Sequence, residues 1–389
     1  MNSTHNPIVG LVETRAPARR IVTVMLALLS IGLPAFAQDR GFAPVTLPNN
    51  SPFLGGVPTG AATPGTMRLS VLDAIERALE HNLGVLNAEE SVDRTRGTRW
   101  LAMSRLLPHV NASVSEVRQV ISLEAFGLPL ADLPPTVGPF NVFDARLFVT
   151  QALFDRRALS DTRAESHMLA ASRHSLRSAR DLVVLVAANL YLQTLAEAAR
   201  AEAARAQMAT SRALFAQAQD LKQGGIIAGI DVVRAEVRLG TERQRATAAE
   251  NNFQKSKLAL ARVIGLPLGQ EFTLNDRIPE VPVPEMTTEG ALAQAYAGRA
   301  DYLAAQERLK AAEARRQAAL AEALPSAHLN ADYGALGLTP GTARSTFSVR
   351  GTVSVPIFQG GRLQGRLLET DAELRSRRAE IEDLRAQIY

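Results

Sequence analysis

The chain has 389 residues, of which 46% are apolar and 5% aromatic, with 43 basic against 39 acidic side chains and no cysteine. Without cysteine there is no disulfide framework, no thiolate-held zinc or iron–sulfur cluster, no thiol nucleophile and no lipidated N-terminal cysteine. A mean hydropathy of -0.02 with 21% charged residues excludes a polytopic helical membrane protein, because each span needs about 20 mainly apolar residues.

Residues 1–37 have the three-part form of a secretory signal. Arg15, Arg19 and Arg20 precede an apolar run from Ile21 to Leu33, and Ala35-Phe36-Ala37 forms a small-residue cleavage site before Gln38. Removing it takes those three arginines and Glu13, so the formal charge falls from +4 to +2, an excess that speaks against a nucleic-acid partner. Residues 38–67 hold Pro44, Pro48, Pro52, Pro58 and Pro64 among Gly, Asn and Thr, which predicts an extended, flexible leader.

The remainder compares with itself. Pro108 and Pro325 lie 217 residues apart, and at that offset Arg99, Ala102 and Leu107 meet Arg316, Ala319 and Leu324. Phe154 and Phe358 lie 204 apart and align Arg146, Glu165 and Arg173 with Arg350, Glu369 and Arg377. Two repeats follow, 68–281 and an incomplete 286–389, each ordered short helix, longer helix, strand, loop, strand, very long helix. Ser70 with Asp73 makes a capping pair for the first opening helix and Thr287 occupies the matching place in the second. The second helices, about 84–107 and 301–324, end at the two prolines.

After each proline the period changes to two, which predicts strands at about 109–121, 142–154, 327–335 and 346–357. Ala327, Leu329, Ala331 and Tyr333 alternate with His328, Asn330 and Asp332, and Phe347, Val349, Val353 and Ile357 alternate with Ser348, Arg350 and Thr352. Eight of the nineteen aromatics fall in these regions (Phe126, Phe140, Phe143, Phe148, Phe154, Tyr333, Phe347 and Phe358), as interfacial girdles of a membrane barrel would require. Periodicity alone leaves a membrane sheet and a small soluble sandwich equally open.

From Arg156 to Lys222 no proline or glycine interrupts a run that makes a rod of roughly 100 Å. Leu169, Leu176, Val183 and Leu190 form a heptad seam, and the alanines at 198, 199, 201, 203, 204 and 206 allow close helix approach. Gly224-Gly225 reads as the C-cap, Ile226-Ile227-Ala228-Gly229-Ile230 as the turn, and Asp231 as the N-cap of a returning helix over 232–264, which completes a hairpin over 156–264. A further long helix starts at 362 and runs to 389. The apolar stripe of so narrow a rod is too thin to support a soluble monomer. Four strands per chain cannot close a membrane barrel, which needs about eight, so copies must associate, each contributing a sector.

These features resemble the TolC-like outer membrane factors. The likeness rests on Leu69-Ser70, Ala74, Ala78 and Asn82, on Leu107-Pro108 and Leu324-Pro325, and on Pro356-Ile357-Phe358-Gln359-Gly360-Gly361. It rests also on the turn from Gly224 to Glu236 and the closing Leu260-Ala261-Arg262-Val263-Ile264-Gly265-Leu266-Pro267. The resemblance implies an α+β membrane protein: a homotrimer whose shared twelve-stranded barrel in outer-membrane lipid continues as a helical tunnel across the periplasm. It further implies an exit duct for an efflux pump or type I secretion system, working with an inner-membrane transporter and a periplasmic adaptor that meets the tip Gly224, Gly225, Ile226, Ile227, Ala228, Gly229, Ile230 and Asp231. Asp231 matches a position that links the outer hairpin to the inner one, although Ile230 stands where a polar residue precedes it in the best-known member. At the 204-residue offset Tyr389 corresponds to Leu185, so the second long helix is expected to be truncated, without the family's inner hairpin and its gating residues. Asp155-Arg156-Arg157 replaces the Gly360-Gly361 pair and requires negative φ values at that bend.

No phosphate loop, zinc-protease, hydrolase or dinucleotide motif occurs, so no catalytic, cofactor or metal residues are assigned and the chain is not read as an enzyme. His167 and His174, seven apart, lack a third ligand and read as helix contacts, and Glu89-Glu90 reads as a charged face. The alternatives are a non-conducting coiled-coil envelope protein and a soluble hydrolase or binding protein.

Overall fold

The computed structural model describes residues 48, 50–123, 125, 134–276 and 286–389. Strand β1 (Met67–Leu69) leads into helix α1 (Val71–His81). The Ser70 hydroxyl accepts from the Asp73 N–H, and the Asp73 carboxylate accepts from the Ser70 N–H at 2.9 Å, a complete capping box. Asn82 ends α1 and starts α2 (Leu83–Ser104): its ψ of 130° breaks the helix, while its side chain accepts from the Gly84 N–H at 2.8 Å. α2 stops short of the expected Leu107, because a residue before proline is disfavoured in the α region, and tightened turns at Leu106 and Leu107 lead to Pro108.

Strands β2 (His109–Ser122) and β3 (Thr136–Phe154) pair antiparallel, β3 beginning six residues before its expected start. Helix α3 (Arg156–Gln223) has 68 residues, about 100 Å at the usual rise. Helix α4 (Gly229–Val263) returns along its second half, where Thr194 meets Ser256, and α2 lies along its first half, where Arg180 meets Glu89. Strand β4 (Phe272–Leu274) pairs parallel with β1. There follow α5 (Thr288–Gly298), capped by the Thr287 hydroxyl, α6 (Ala300–Ala321), β5 (Ser326–Gly337), β6 (Arg344–Ser354) and α7 (Arg362–Ile388). β6 ends three residues before the expected 357. The order helix, helix, strand, strand, long helix thus occurs over 71–223 and again over 288–388.

The long strands form one antiparallel sheet in the order β2-β3-β5-β6, with β2 and β6 at its edges and unpaired on their outer sides among the described residues. The two strand-to-helix bends differ as the sequence requires. Asp155 has φ −144° and caps α3 through the Ala158 N–H at 2.9 Å, whereas Gly360 and Gly361 have φ of +59° and +84°, a conformation that glycine adopts without a Cβ penalty.

The principal core lies where α1, α2, α3 and α4 meet the small β1–β4 sheet. Leu69, Val85, Val183, Tyr191, Leu260, Ile264 and Phe272 are buried there. Along α3, Leu169 and Val183 of the heptad seam are buried, but of the alanines at 198–206 only Ala201 is. The close-approach seam lies earlier instead, where Ala164, Ala171 and Ala179 are buried, as are Ala304, Ala311 and Ala318 of the adjoining α6.

The expectation of a flexible leader over 38–67 fails for its second half. A 3-10 turn at Pro52–Leu54 is held by Asn82 Nδ2 donating to the Phe53 carbonyl at 2.9 Å. The Leu83 N–H donates to Gly55 O, the Val57 N–H to His81 O and the Thr63 N–H to Gln270 Oε1. Main-chain groups of a proline-rich segment find partners on other elements, which composition does not reveal. Residues 38–47, and the cleavage residues Ala35, Ala37 and Gln38, lie outside the described residues.

Candidate functional site: the sheet and the hairpin turn

Strand register assigns each side chain to a face. Val110, Leu147, Val149, Ala331, Tyr333, Phe347 and Val349 share one face, with Ala112, Ala145 and Ala335 between them. Asn111, Ser113, Asp144, Arg146, Asn330, Asp332, Ser348 and Arg350 share the other. The apolar face is the open one: Tyr333 is 62% exposed, Phe347 77% and Val349 67%. The polar face is open at the edge strands too, where Asn111, Ser113, Ser348 and Arg350 are exposed, and is partly covered only around the central cluster, the Arg146 and Asp332 side chains being 27% and 17% exposed. A soluble sheet distributes these classes the opposite way.

On the polar face Arg146 forms ion pairs with Asp144 and, at 3.6 Å, with Asp332 of the neighbouring strand. Its guanidinium also lies over the Phe148 ring, 5.9 Å from the centroid. Phe140 and Phe148 therefore belong to the polar face, which corrects the expectation that the strand aromatics all serve outward girdles. Phe154 reaches the apolar face through an irregularity between Ala152 and Phe154 that pairs it with Ala327. Phe358 lies beyond β6, and Phe126 lies outside the described residues. The apolar band from Ala327 to Ala335 spans eight residues of rise, about 26 Å along the strand, or about 20 Å of height at the usual barrel tilt, against an apolar belt of about 25 Å.

The hairpin turn joins α3 to α4. Gly224 is the C-cap, but the left-handed residue is Gly225, with φ +72°. The Ile226 N–H donates to Leu221 O at 2.9 Å and closes the helix end. Ala228 is the extended N-cap and α4 begins at Gly229, so Asp231 is a first-turn residue and not the cap. Its carboxylate accepts from Arg234 at 3.1 Å, three residues on, and suits the positive end of the helix dipole. Ile226, Ile230, Val233 and Val237 are exposed, while Ile227 is half-buried.

Two of the other residues singled out in the sequence, His167 and Glu89, find ion-pair partners. His167 Nδ1 lies 2.8 Å from Glu307 Oε2 of α6, and Glu89 accepts from Arg180 of α3 at 2.8 Å. Among the described residues no three His, Asp or Glu side chains gather as a metal site would require. Sequence reasoning missed Tyr191, whose hydroxyl lies 2.9 Å from both the Leu69 carbonyl and Asp276 Oδ2. Burial first, and then the Asp276 carboxylate, push its pKa up to about 12. A buried tyrosine on a helix otherwise rich in alanine is the signal that pointed there.

A family model described as outer membrane efflux protein matches residues 74–266. The probable efflux pump outer membrane protein SepC of Pseudomonas putida is 28% identical over 305 residues, 76% of this chain and 61% of that protein. The pyoverdine export outer membrane protein OpmQ of Pseudomonas putida is 24% identical over 308 residues, 78% of this chain and 65% of that protein. The chain thus spans less than two thirds of the length of these relatives. Among solved structures, the Campylobacter jejuni CmeC outer membrane channel matches with a TM-score of 0.70 at 18% identity, covering 81% of this chain and 67% of that one. The outer membrane protein VceC of Vibrio cholerae matches with a TM-score of 0.68 at 20% identity, covering 82% and 75%. At those identities the structures speak for the fold.

Proposed function

We propose, for a chain that belongs to the outer membrane efflux protein family, that it is one protomer of a trimeric exit duct through which small molecules leave passively, driven by a partner pump. The sheet carries this reading: an exposed apolar face with Tyr333, Phe347 and Val349, an opposite face with the Arg146 ion-pair cluster, and two open edges. Open edges are not tolerated in hydrocarbon and four strands do not close. Three copies joined edge to edge bring twelve strands, with the apolar faces toward lipid and the Arg146 faces toward a wet lumen. The recurrence of element order supports an internal repeat over 68–281 and 286–389 that gives each protomer two strand pairs.

β3 runs into α3 through Asp155 alone and β6 into α7 through the bend at 355–361, so the lumen continues into a helical tunnel in the periplasm. The turn from Gly224 to Asp231 is the docking point for a periplasmic adaptor, to which the exposed Ile226, Ile230 and Val233 offer apolar contact, and an inner-membrane transporter supplies the energy. By analogy with relatives described as efflux and pyoverdine export proteins, the cargo is a small organic molecule.

The test is electrical. Purified protein reconstituted in planar bilayers should give stepwise conductance, and protein that inserts without conducting would count against the duct.

A further inference from the structure

Where the sheet meets the helices, α2, α3, α6 and α7 border a half-open polar cavity of about 460 Å³. Arg105, Arg157, Asp161, Arg315, Glu322 and Arg366 line it. Connectivity fixes its level: Arg157 stands three residues beyond the end of β3, and Arg105 and Glu322 each stand four residues before a strand begins.

With Glu165 included, four guanidinium groups and three carboxylates line the cavity, and Arg315 is already held by Glu165 at 3.3 Å and by Glu373 at 2.9 Å. Glu322, whose side chain is 5% exposed, is shared by Arg157 at 3.2 Å and Arg362 at 3.8 Å. Asp161 is shared at longer range, by Arg105 at 3.4 Å and Arg157 at 3.8 Å. Arg366 pairs with Glu369 on its own helix, a largely exposed partner. Long or solvated pairs of this kind contribute little, so Arg105 and Arg366 remain available to a better anion. Burial holds the Asp161 carboxyl above its ordinary range although Arg157, Arg105 and Arg366 all act to lower it, which marks a poorly hydrated site where a matched anion gains most. Exposed apolar side chains adjoin the cavity level: Leu107, Leu153, Phe154 and Leu324.

We propose that this junction binds the phosphate group of an anionic phospholipid, with Arg105, Arg157 and Arg366 around the headgroup and the acyl chains along Leu107, Leu153 and Phe154. The proposal rests on the reading of the sheet as a membrane-embedded sector, which puts this cavity at the periplasmic headgroup level. Guanidinium groups match phosphate through paired N–H donors, and basic pockets between helices at a membrane boundary select anionic headgroups. Free phosphate shares the chemistry but not the apolar wall.

Native mass spectrometry of the full chain, titrated separately with phosphatidylglycerol, phosphatidylethanolamine and inorganic phosphate, tests this. Phosphatidylglycerol should be retained at least about tenfold more strongly than phosphatidylethanolamine. The double variant Arg105→Gln/Arg366→Gln should lose that preference, Arg105→Lys/Arg366→Lys should keep most of it, and Arg212→Gln on the distant hairpin should not change it. Equal retention of the two lipids, or an unchanged preference in the Gln variant, overturns the proposal. Binding of inorganic phosphate without any advantage for phosphatidylglycerol assigns the site to a free anion and overturns the lipid. The same spectra report assembly: trimers without lipid preference remove the site alone, whereas monomers only remove the membrane-sector reading and the site with it.

Discussion

The Tyr191 hydroxyl lies 2.9 Å from Asp276 Oδ2, which ties the middle of α3 to the segment that follows β4. The same carboxylate oxygen accepts from the Val71 N–H at 2.7 Å, so one contact joins α3, the start of α1 and the β1–β4 sheet. Tyr191→Phe keeps the ring but removes the one hydroxyl proton shared between the Leu69 carbonyl and Asp276 Oδ2, leaving them only their main-chain donors, Asn275 N–H and Val71 N–H. It should lower stability by about 1–3 kcal/mol, read as a reduced midpoint in denaturant melts.

The same tyrosine sets an alkaline limit. Its folded-state pKa of about 12 lies above its ordinary value of 10.0, so the folded chain favours the neutral phenol. That stabilisation is complete below pH 10 and is lost as the pH rises from 10 toward 12. The melting midpoint of the wild type should drop across this window, and that of Tyr191→Phe should drop less.

Adjacent residues of β6 should respond oppositely to the same change. Phe347→Arg places a charge on the exposed apolar face and should cost about 2–4 kcal/mol of membrane folding, whereas Ser348→Arg points to the polar face and should be tolerated. Folding yield into lipid vesicles compares the two, and equal losses would remove the facial assignment.

At the hairpin turn, Gly225→Val meets a φ of +72° and should cost about 1–2 kcal/mol locally, with loss of adaptor binding. Gly229→Ala adds a Cβ 3.7 Å from Lys222 Cε at a helical position, an ordinary contact, and should leave both stability and binding intact. Circular dichroism melts and adaptor pull-downs separate these outcomes.

Asn82 ends one helix, starts another and holds the Phe53 carbonyl while fully buried. Asn82→Ala should cost about 1–3 kcal/mol and free the segment 50–66, seen as new cleavage there in limited proteolysis.

Features written as local chemistry were legible in the sequence. Ser70 with Asp73, Thr287 and Gly360-Gly361 each do what their residue types require, and the alternation of Ala327 to Tyr333 with His328 to Asp332 gave the faces of β5. Features made by distant partners were not. β1 and β4 are three residues each, too short for any period, and exist only because Met67 meets Phe272. The true start of α4 was hidden because Asp231 is as good a first-turn residue as a cap. Phe148 reads as an outward aromatic until the register places it beneath Arg146.

The central claim is that β2 of one copy pairs with β6 of the next and that the ring closes at three. Because the chain contains no cysteine, engineered thiols report on a clean background. Ser113→Cys in β2 with Ser348→Cys in β6, scanned by two residues in each strand to find the inter-copy register, should give, on oxidation in outer membranes, a ladder of dimers and trimers that stops at trimers. Monomers at every register, or a ladder continuing past three, would contradict the closed twelve-stranded barrel.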